Sequence, residues 1–170
     1  MIQYTAKKAA AFNMKIRYHN RHQLTPEEES KFNATYSATL NDLLASSDVI
    51  SISCPLNAET TNLISRKEFA AMKDGVYFVN TARGAIVDED ALVDALRSGK
   101  VARAGLDVVV NEPHVRDELR CGKLSEQKVI LQPHMGGLTD VAFHKSEKEC
   151  FENIRSLFKT GRPVAPVNEI

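Results

Sequence analysis

Short β-branched runs alternate along the chain with segments whose apolar residues recur at helical spacing, a pattern that predicts strands joined by helices. Residues 3–13 (QYTAKKAAAFN) are Ala-rich and helix-prone, and Met14 to His19 reads as the strand that follows. Thr25-Pro26-Glu27 places an N-cap residue before a proline at the first helical position, the usual opening of a helix. Leu40, Leu43 and Leu44 make a second short apolar stripe, and VISIS at 49–53 is the next strand. Ser65 and Glu68 have capping-box spacing ahead of Phe69 and Met72. VYFV at 76–79 is a compact strand of buried character. Asp88 caps a helix carrying Leu92, Val93, Ala95 and Leu96, with Gly99 just past its end. Strands are expected again at 103–109 and 129–131, and then a long helix over about 140–159 with Val141, Phe143, Cys150, Ile154, Leu157 and Phe158.

Near-continuous apolar strands separated by helices imply a parallel sheet covered on both faces, because right-handed crossovers put helices on either side. A doubly wound α/β domain is the expected fold. Composition narrows the function. Among 170 residues, 22 Lys and Arg balance 22 Asp and Glu, and no basic block supplies the footprint that nucleic acid or an anionic membrane requires. No apolar run approaches the roughly 20 residues of a membrane span, and the start, MIQYTAKKAAAF, lacks the pattern of a signal peptide. A cytoplasmic location is expected. Cys54, Cys121 and Cys150 lie far apart without C-x-x-C spacing, which speaks for reduced thiols and against disulfides or zinc. The histidines His19, His22, His114 and His144 have no ligand spacing and no H-E-x-x-H occurs, so no metal is implied; nor does a G-x-S-x-G elbow occur.

Ligands of open α/β sheets bind beyond the carboxyl ends of the strands. After VISIS comes Cys54-Pro55-Leu56-Asn57, and after VYFV comes Asn80-Thr81-Ala82-Arg83-Gly84. The 103–109 strand carries Asp107 and leads to Glu112-Pro113, and VIL leads to Pro133-His134-Met135-Gly136-Gly137. Arg83, Glu112 and His134 would then converge on one edge, a set able to bind a carboxylate, polarise a carbonyl and move a proton. Each has a plainer reading: Arg83 as a solvated charge, His134 as part of a glycine turn, Glu112 as a loop acid before proline. Asp107, an acid expected inside an apolar strand, is expensive there unless paired or facing a site. Cys54 reads as a small buried hydrophobe rather than a nucleophile.

The segments FNMKIRYHNR (12–21), CPLNAETT (54–61), VNTARGAIVDEDAL (79–92), AGLDVVVNEP (104–113) and LQPHMGGLT (131–139), in this order and spacing, resemble the D-isomer-specific 2-hydroxyacid dehydrogenases, above all their glyoxylate/hydroxypyruvate reductase branch. The resemblance implies a Rossmann-like fold and hydride transfer between NAD(P)H and a small 2-oxo or 2-hydroxy acid. It assigns Arg83 to the substrate carboxylate and carbonyl, His134 to proton transfer and Glu112 to pairing with His134. It puts Pro55, Leu56, Thr81, Ala82, Arg83, Asp107, His134 and Gly136 around the nicotinamide end of the coenzyme. The formate dehydrogenase branch differs around the histidine, where this chain has His134-Met135-Gly136-Gly137.

The family's G-x-G-x-x-G turn, which receives the pyrophosphate, has no counterpart in the 170 residues. The expected organisation is therefore a dinucleotide-binding domain at 1–139 that is incomplete at its N-terminus. Residues 140–170 would be a helix and tail returning toward a substrate domain, with Leu157, Phe158 and the tail GRPVAPVNEI exposed. The isolated chain is expected to bind dinucleotide weakly and to turn over little, and a non-enzymatic interaction module stands as the alternative; a homodimer is compatible with either. Residues 17–24 (RYHNRHQL) hold no acid that would repel a 2′-phosphate, and Arg21, beside Asn20, is placed to meet one. NADP is accordingly expected over NAD.

Overall fold

Parallel pairing organises the chain. In a computed structural model, which describes residues 2–166, six strands build two parallel sheets. β1 (Ile16–Tyr18) pairs with β2 (Ala34–Tyr36), while β3 (Val49–Ile52), β4 (Val76–Asn80), β5 (Val101–Leu106) and β6 (Val129–Leu131) lie side by side in that order. The helices are α1 (Ile2–Ala11), α2 (Pro26–Ser30), α3 (Leu40–Ser46), α4 (Arg66–Ala71), α5 (Glu89–Ser98), α6 (Asp117–Arg120), α7 (Gly122–Lys128) and α8 (Asp140–Thr160). Parallel strands joined by helices, in the orders β1-β2 and β3-β4-β5-β6, are those of a doubly wound α/β domain. β2 lies in a stretch without an apolar run, and only its pairing to β1 through Ile16–Ala34, Arg17–Thr35 and Tyr18–Tyr36 makes it a strand.

Helix starts follow from local chemistry. Thr25 accepts the Glu28 N–H at 3.3 Å, and Glu28 accepts the Thr25 N–H at 3.2 Å, closing a capping box at α2. At α4, Glu68 accepts the Ser65 N–H at 3.2 Å, while the Ser65 hydroxyl donates to Asp88 at 2.8 Å. Asp88 in turn accepts the N–H groups of Asp90 and Ala91 at 3.1 Å each, so one carboxylate ties together the starts of α4 and α5. Gly99 closes α5 in the left-handed region at φ 82°, where a side chain would be strained.

The core lies on one face of the four-stranded sheet. Phe78 is fully buried with Phe69 tilted against it at 5.3 Å, and Leu92, Leu96, Val101, Leu106 and Leu119 complete the cluster. The other face presents Val49, Tyr77 (50% exposed) and Ile130 (66% exposed). Along β3 and β4 the side chains alternate: Ile50, Ile52, Phe78 and Asn80 point inward, and their neighbours Val49, Ser51 and Tyr77 point away.

The chain divides into two compact units between Pro133 and His134. The second is built around α8, whose N-cap Thr139 accepts the Ala142 N–H at 3.2 Å and whose C-cap is Gly161 at φ 75°. No residue of α8 is buried; Leu157 and Phe158 are exposed. The last four tail residues, 167–170, lie outside the described residues.

The Asp88 carboxyl titrates below its ordinary value, because the Ala91 N–H and then the Ser65 hydroxyl donate to its charged form. Its contribution is complete above the unfolded-chain value of about 3.9 and is lost as pH falls through the lower folded value. Asp88→Ala is expected to reduce unfolding free energy by about 0.5–2 kcal/mol at neutral pH. Urea melts of both proteins at neutral pH and in acid check this: the difference closes in acid.

Candidate active site

Parallel strands end on a common edge, and the loops beyond them gather there. A cavity of about 460 Å³ opens beyond β3 and β4, lined by Ile52, Ser53, Cys54, Pro55, Leu56, Thr81, Ala82 and Arg83. The structure thus brings Pro55, Leu56, Thr81, Ala82 and Arg83 together. Burial pushes the Cys54 thiol up from its ordinary pKa, which leaves little thiolate to act as a nucleophile.

Two loops shape this cavity. Beyond β3, the Asn57 carboxamide oxygen accepts the N–H groups of Glu59 at 2.9 Å and Thr60 at 3.0 Å, while the Thr60 hydroxyl donates to the Pro55 carbonyl at 2.7 Å. Beyond β4, the buried Asn80 (1% exposed) accepts the Ala82 N–H and donates to the Arg83 carbonyl, both at 3.0 Å. The Asn80 carbonyl accepts the Asp107 N–H at 3.0 Å, which joins this loop to the end of β5. Asn80 is a positioning residue that pattern reading overlooked; its signal was a carboxamide closing an otherwise apolar strand.

Gly84 is the second overlooked residue. A Cβ there would stand 2.1 Å from the Val109 carbonyl carbon and oxygen, so only glycine lets the Arg83 turn abut the loop after β5. Arg83 itself is exposed, and its Nη1 donates to the Ala82 carbonyl at 2.6 Å.

The strand expected over 103–109 ends at Leu106, so Asp107 is the first residue beyond β5 rather than a mid-strand acid. It is buried, and its N–H still donates to the Asn80 carbonyl of the neighbouring strand β4. Glu112 is exposed and accepts the Val109 N–H at 3.1 Å, closing its own loop. Beyond β1, the Asn20 carbonyl accepts the Tyr36 hydroxyl at 3.2 Å, and Arg21 Nη1 stands 3.7 Å from Glu59 Oε2. His134 and Gly136 belong to the second unit. There they lie in the exposed turn before α8, with His134 at φ 52° and the Leu138 N–H donating to the Met135 carbonyl at 2.9 Å. Among the described residues no three His, Cys, Asp or Glu gather to hold a metal ion, and no helix is long and apolar enough to cross a membrane.

A parallel α/β sheet whose loops form a groove at the carboxyl edge defines a nucleotide-binding α/β domain. The apolar lining from Pro55, Leu56 and Ala82, with a guanidinium at its side, suits the nicotinamide end of a dinucleotide. Residues 3–136 match the NAD-binding domain of the D-isomer-specific 2-hydroxyacid dehydrogenases, and the chain belongs to that family. It is 54% identical over 168 residues to dehydrogenase efuE of Hormonema carpetanum, a match covering 99% of this chain and 41% of the relative. A glyoxylate reductase from Paecilomyes thermophila superposes with a TM-score of 0.87 at 46% identity, covering 95% of this chain and 47% of that one. An NADPH-dependent glyoxylate/hydroxypyruvate reductase from Sinorhizobium meliloti, solved with NADP and malonate, superposes with a TM-score of 0.84 at 31% identity, covering 95% and 48%. The chain spans somewhat less than half the length of these relatives.

Two glycines separate steric demand from open space. Gly84→Ala drives a Cβ into the Val109 backbone and is expected to cost about 2–3 kcal/mol or more. Gly105→Ala meets only Val79 Cγ2 at 3.9 Å, an ordinary contact, and should be neutral or gain up to about 1 kcal/mol. Thermal melts of the two variants rank them.

Proposed function

We propose that the chain is the coenzyme-binding part of an NAD(P)-dependent reductase of small 2-oxo acids, of the glyoxylate or hydroxypyruvate type. The observation that carries this is the cavity beyond β3 and β4 with Arg83 on its wall. The glyoxylate reductases among its relatives support the substrate class. The coenzyme, when bound, supplies the hydride. Pro55, Leu56 and Ala82 offer the apolar wall that keeps water from the transfer, with Thr81, Asp107 and Gly136 completing the surroundings of that end.

Arg83 holds the substrate carboxylate with a two-pronged fork and stabilises the negative charge that grows on the reacting oxygen. His134 gives that oxygen its proton, and Glu112 orients His134. At the far end, Asn20 and Arg21 receive the adenosine ribose. Residues 17–24 contain no acid, Arg21 can make charge-assisted bonds to a 2′-phosphate, and the Sinorhizobium meliloti relative is NADPH-dependent; NADP is the preferred coenzyme on this reading. With no G-x-G-x-x-G in the 170 residues, the pyrophosphate lacks its glycine turn. The isolated chain should then bind dinucleotide weakly and turn over well below the typical rate of about 10 per second.

In the enzyme that carries this domain, His134→Ala should lower kcat for glyoxylate or hydroxypyruvate reduction by about 10²- to 10⁴-fold. Arg83→Ala should raise KM and lower kcat together. The rate of NADPH oxidation, followed by absorbance, reads both, and unchanged reduction by His134→Ala overturns the assignment.

A further inference from the structure

The loops after β1 and β3 are linked by a charged pair, Arg21 Nη1 to Glu59 Oε2 at 3.7 Å. Both side chains are about three-quarters exposed, at 77% and 75%, so the pair adds little to folding. Each partner nevertheless sits on a shaped loop. The Arg21 loop is held where Tyr36 donates to the Asn20 carbonyl and stacks on His19, whose Nδ1 lies 2.9 Å from the Ser37 carbonyl. The Glu59 N–H is held by Asn57, and the neighbouring Thr60 is anchored to Pro55 on the cavity wall.

We propose that Glu59 is a coenzyme-specificity residue that works against Arg21. This rests on the reading of Arg21 as the residue that meets a ribose 2′-phosphate. A phosphate monoester carries about −1.5 to −2 charges and three strong acceptor oxygens, so it displaces a carboxylate held at ion-pair rather than hydrogen-bond distance. The displacement breaks the pair and leaves the Glu59 carboxylate beside the phosphate, and both effects weaken NADP binding. An unphosphorylated ribose leaves the pair intact, and its hydroxyls can donate to an acid in this position, as they do in NAD-preferring domains. The acid that residues 17–24 lack is thus supplied by the loop after β3. Glu59 holds the preference for NADP below what Arg21 alone would confer.

Calorimetric titration of NADPH and of NADH into the enzyme that carries this domain tests this, with Glu59→Gln, Arg21→Ala and the double variant alongside. Glu59→Gln should tighten NADPH about twofold to fivefold, the range expected for an exposed pair, with NADH unchanged or slightly weaker. The gain should shrink as salt rises and be smaller in the Arg21→Ala background. If Glu59→Gln moves both coenzymes equally or neither, while Arg21→Ala still collapses the NADPH preference, the role of Glu59 is overturned and that of Arg21 stands. If Arg21→Ala leaves the preference untouched, the reading of Arg21 falls and Glu59 with it. Absence of NADPH binding by every variant at millimolar concentration overturns both.

Discussion

The carboxyl edge of the four-stranded sheet depends on the buried carboxamide of Asn80. An unpaired amide at that depth would cost more than most single contacts return. Its donor and acceptor are both engaged, by the Arg83 carbonyl and the Ala82 N–H, and its backbone carbonyl takes the Asp107 N–H. One residue therefore fixes the turn that carries Arg83 and binds the end of β4 to the end of β5. Gly84 completes the arrangement by letting the Arg83 turn press on the Val109 backbone without a Cβ between them. Arg83 owes its position to these two neighbours, since its own side chain reaches only the adjacent Ala82 carbonyl among the bonds described.

Elsewhere the charged residues are spent mainly on exposed pairs. Arg66–Asp94, Lys73–Asp48 and Arg120–Asp117 all lie at the surface, where solvent leaves each with little net effect. Arg116 is better enclosed, and the hydrogen bonds it donates to Glu118 and Asp90 hold its guanidinium above the ordinary arginine range. Fold stability rests on the one-sided core around Phe78 and on caps such as Asp88. The exposed pair Arg21–Glu59 differs from the others in where it lies, between two loops that flank the groove.

Much of this was legible in the sequence because its causes are local. Thr25 and Asp88 cap their helices through N–H groups two or three residues away, Gly99 ends α5 through its own φ, and VYFV and VISI become strands on the strength of their side chains. Arg83, Pro55 and Leu56 could be named because a residue directly after a parallel strand must lie at the carboxyl edge. The order and spacing of five motifs carried the family, and residues 3–136 match its model.

Tertiary structure decided what depends on distant partners. β2 is a strand because β1 lies beside it, and Asp107, one residue past β5, is fixed by donating its N–H to the Asn80 carbonyl of β4. The open face bearing Tyr77 and Ile130 follows from where the helices pack, which apolar content alone does not reveal. Residues 17–24 contain no acid, yet Arg21 faces Glu59, which lies on a loop 38 positions further along the chain. Periodicity and capping are set by neighbours within a turn or two, so a sequence determines them by itself. Burial, steric exclusion at Gly84 and the charge that meets Arg21 arise only when remote segments are brought together.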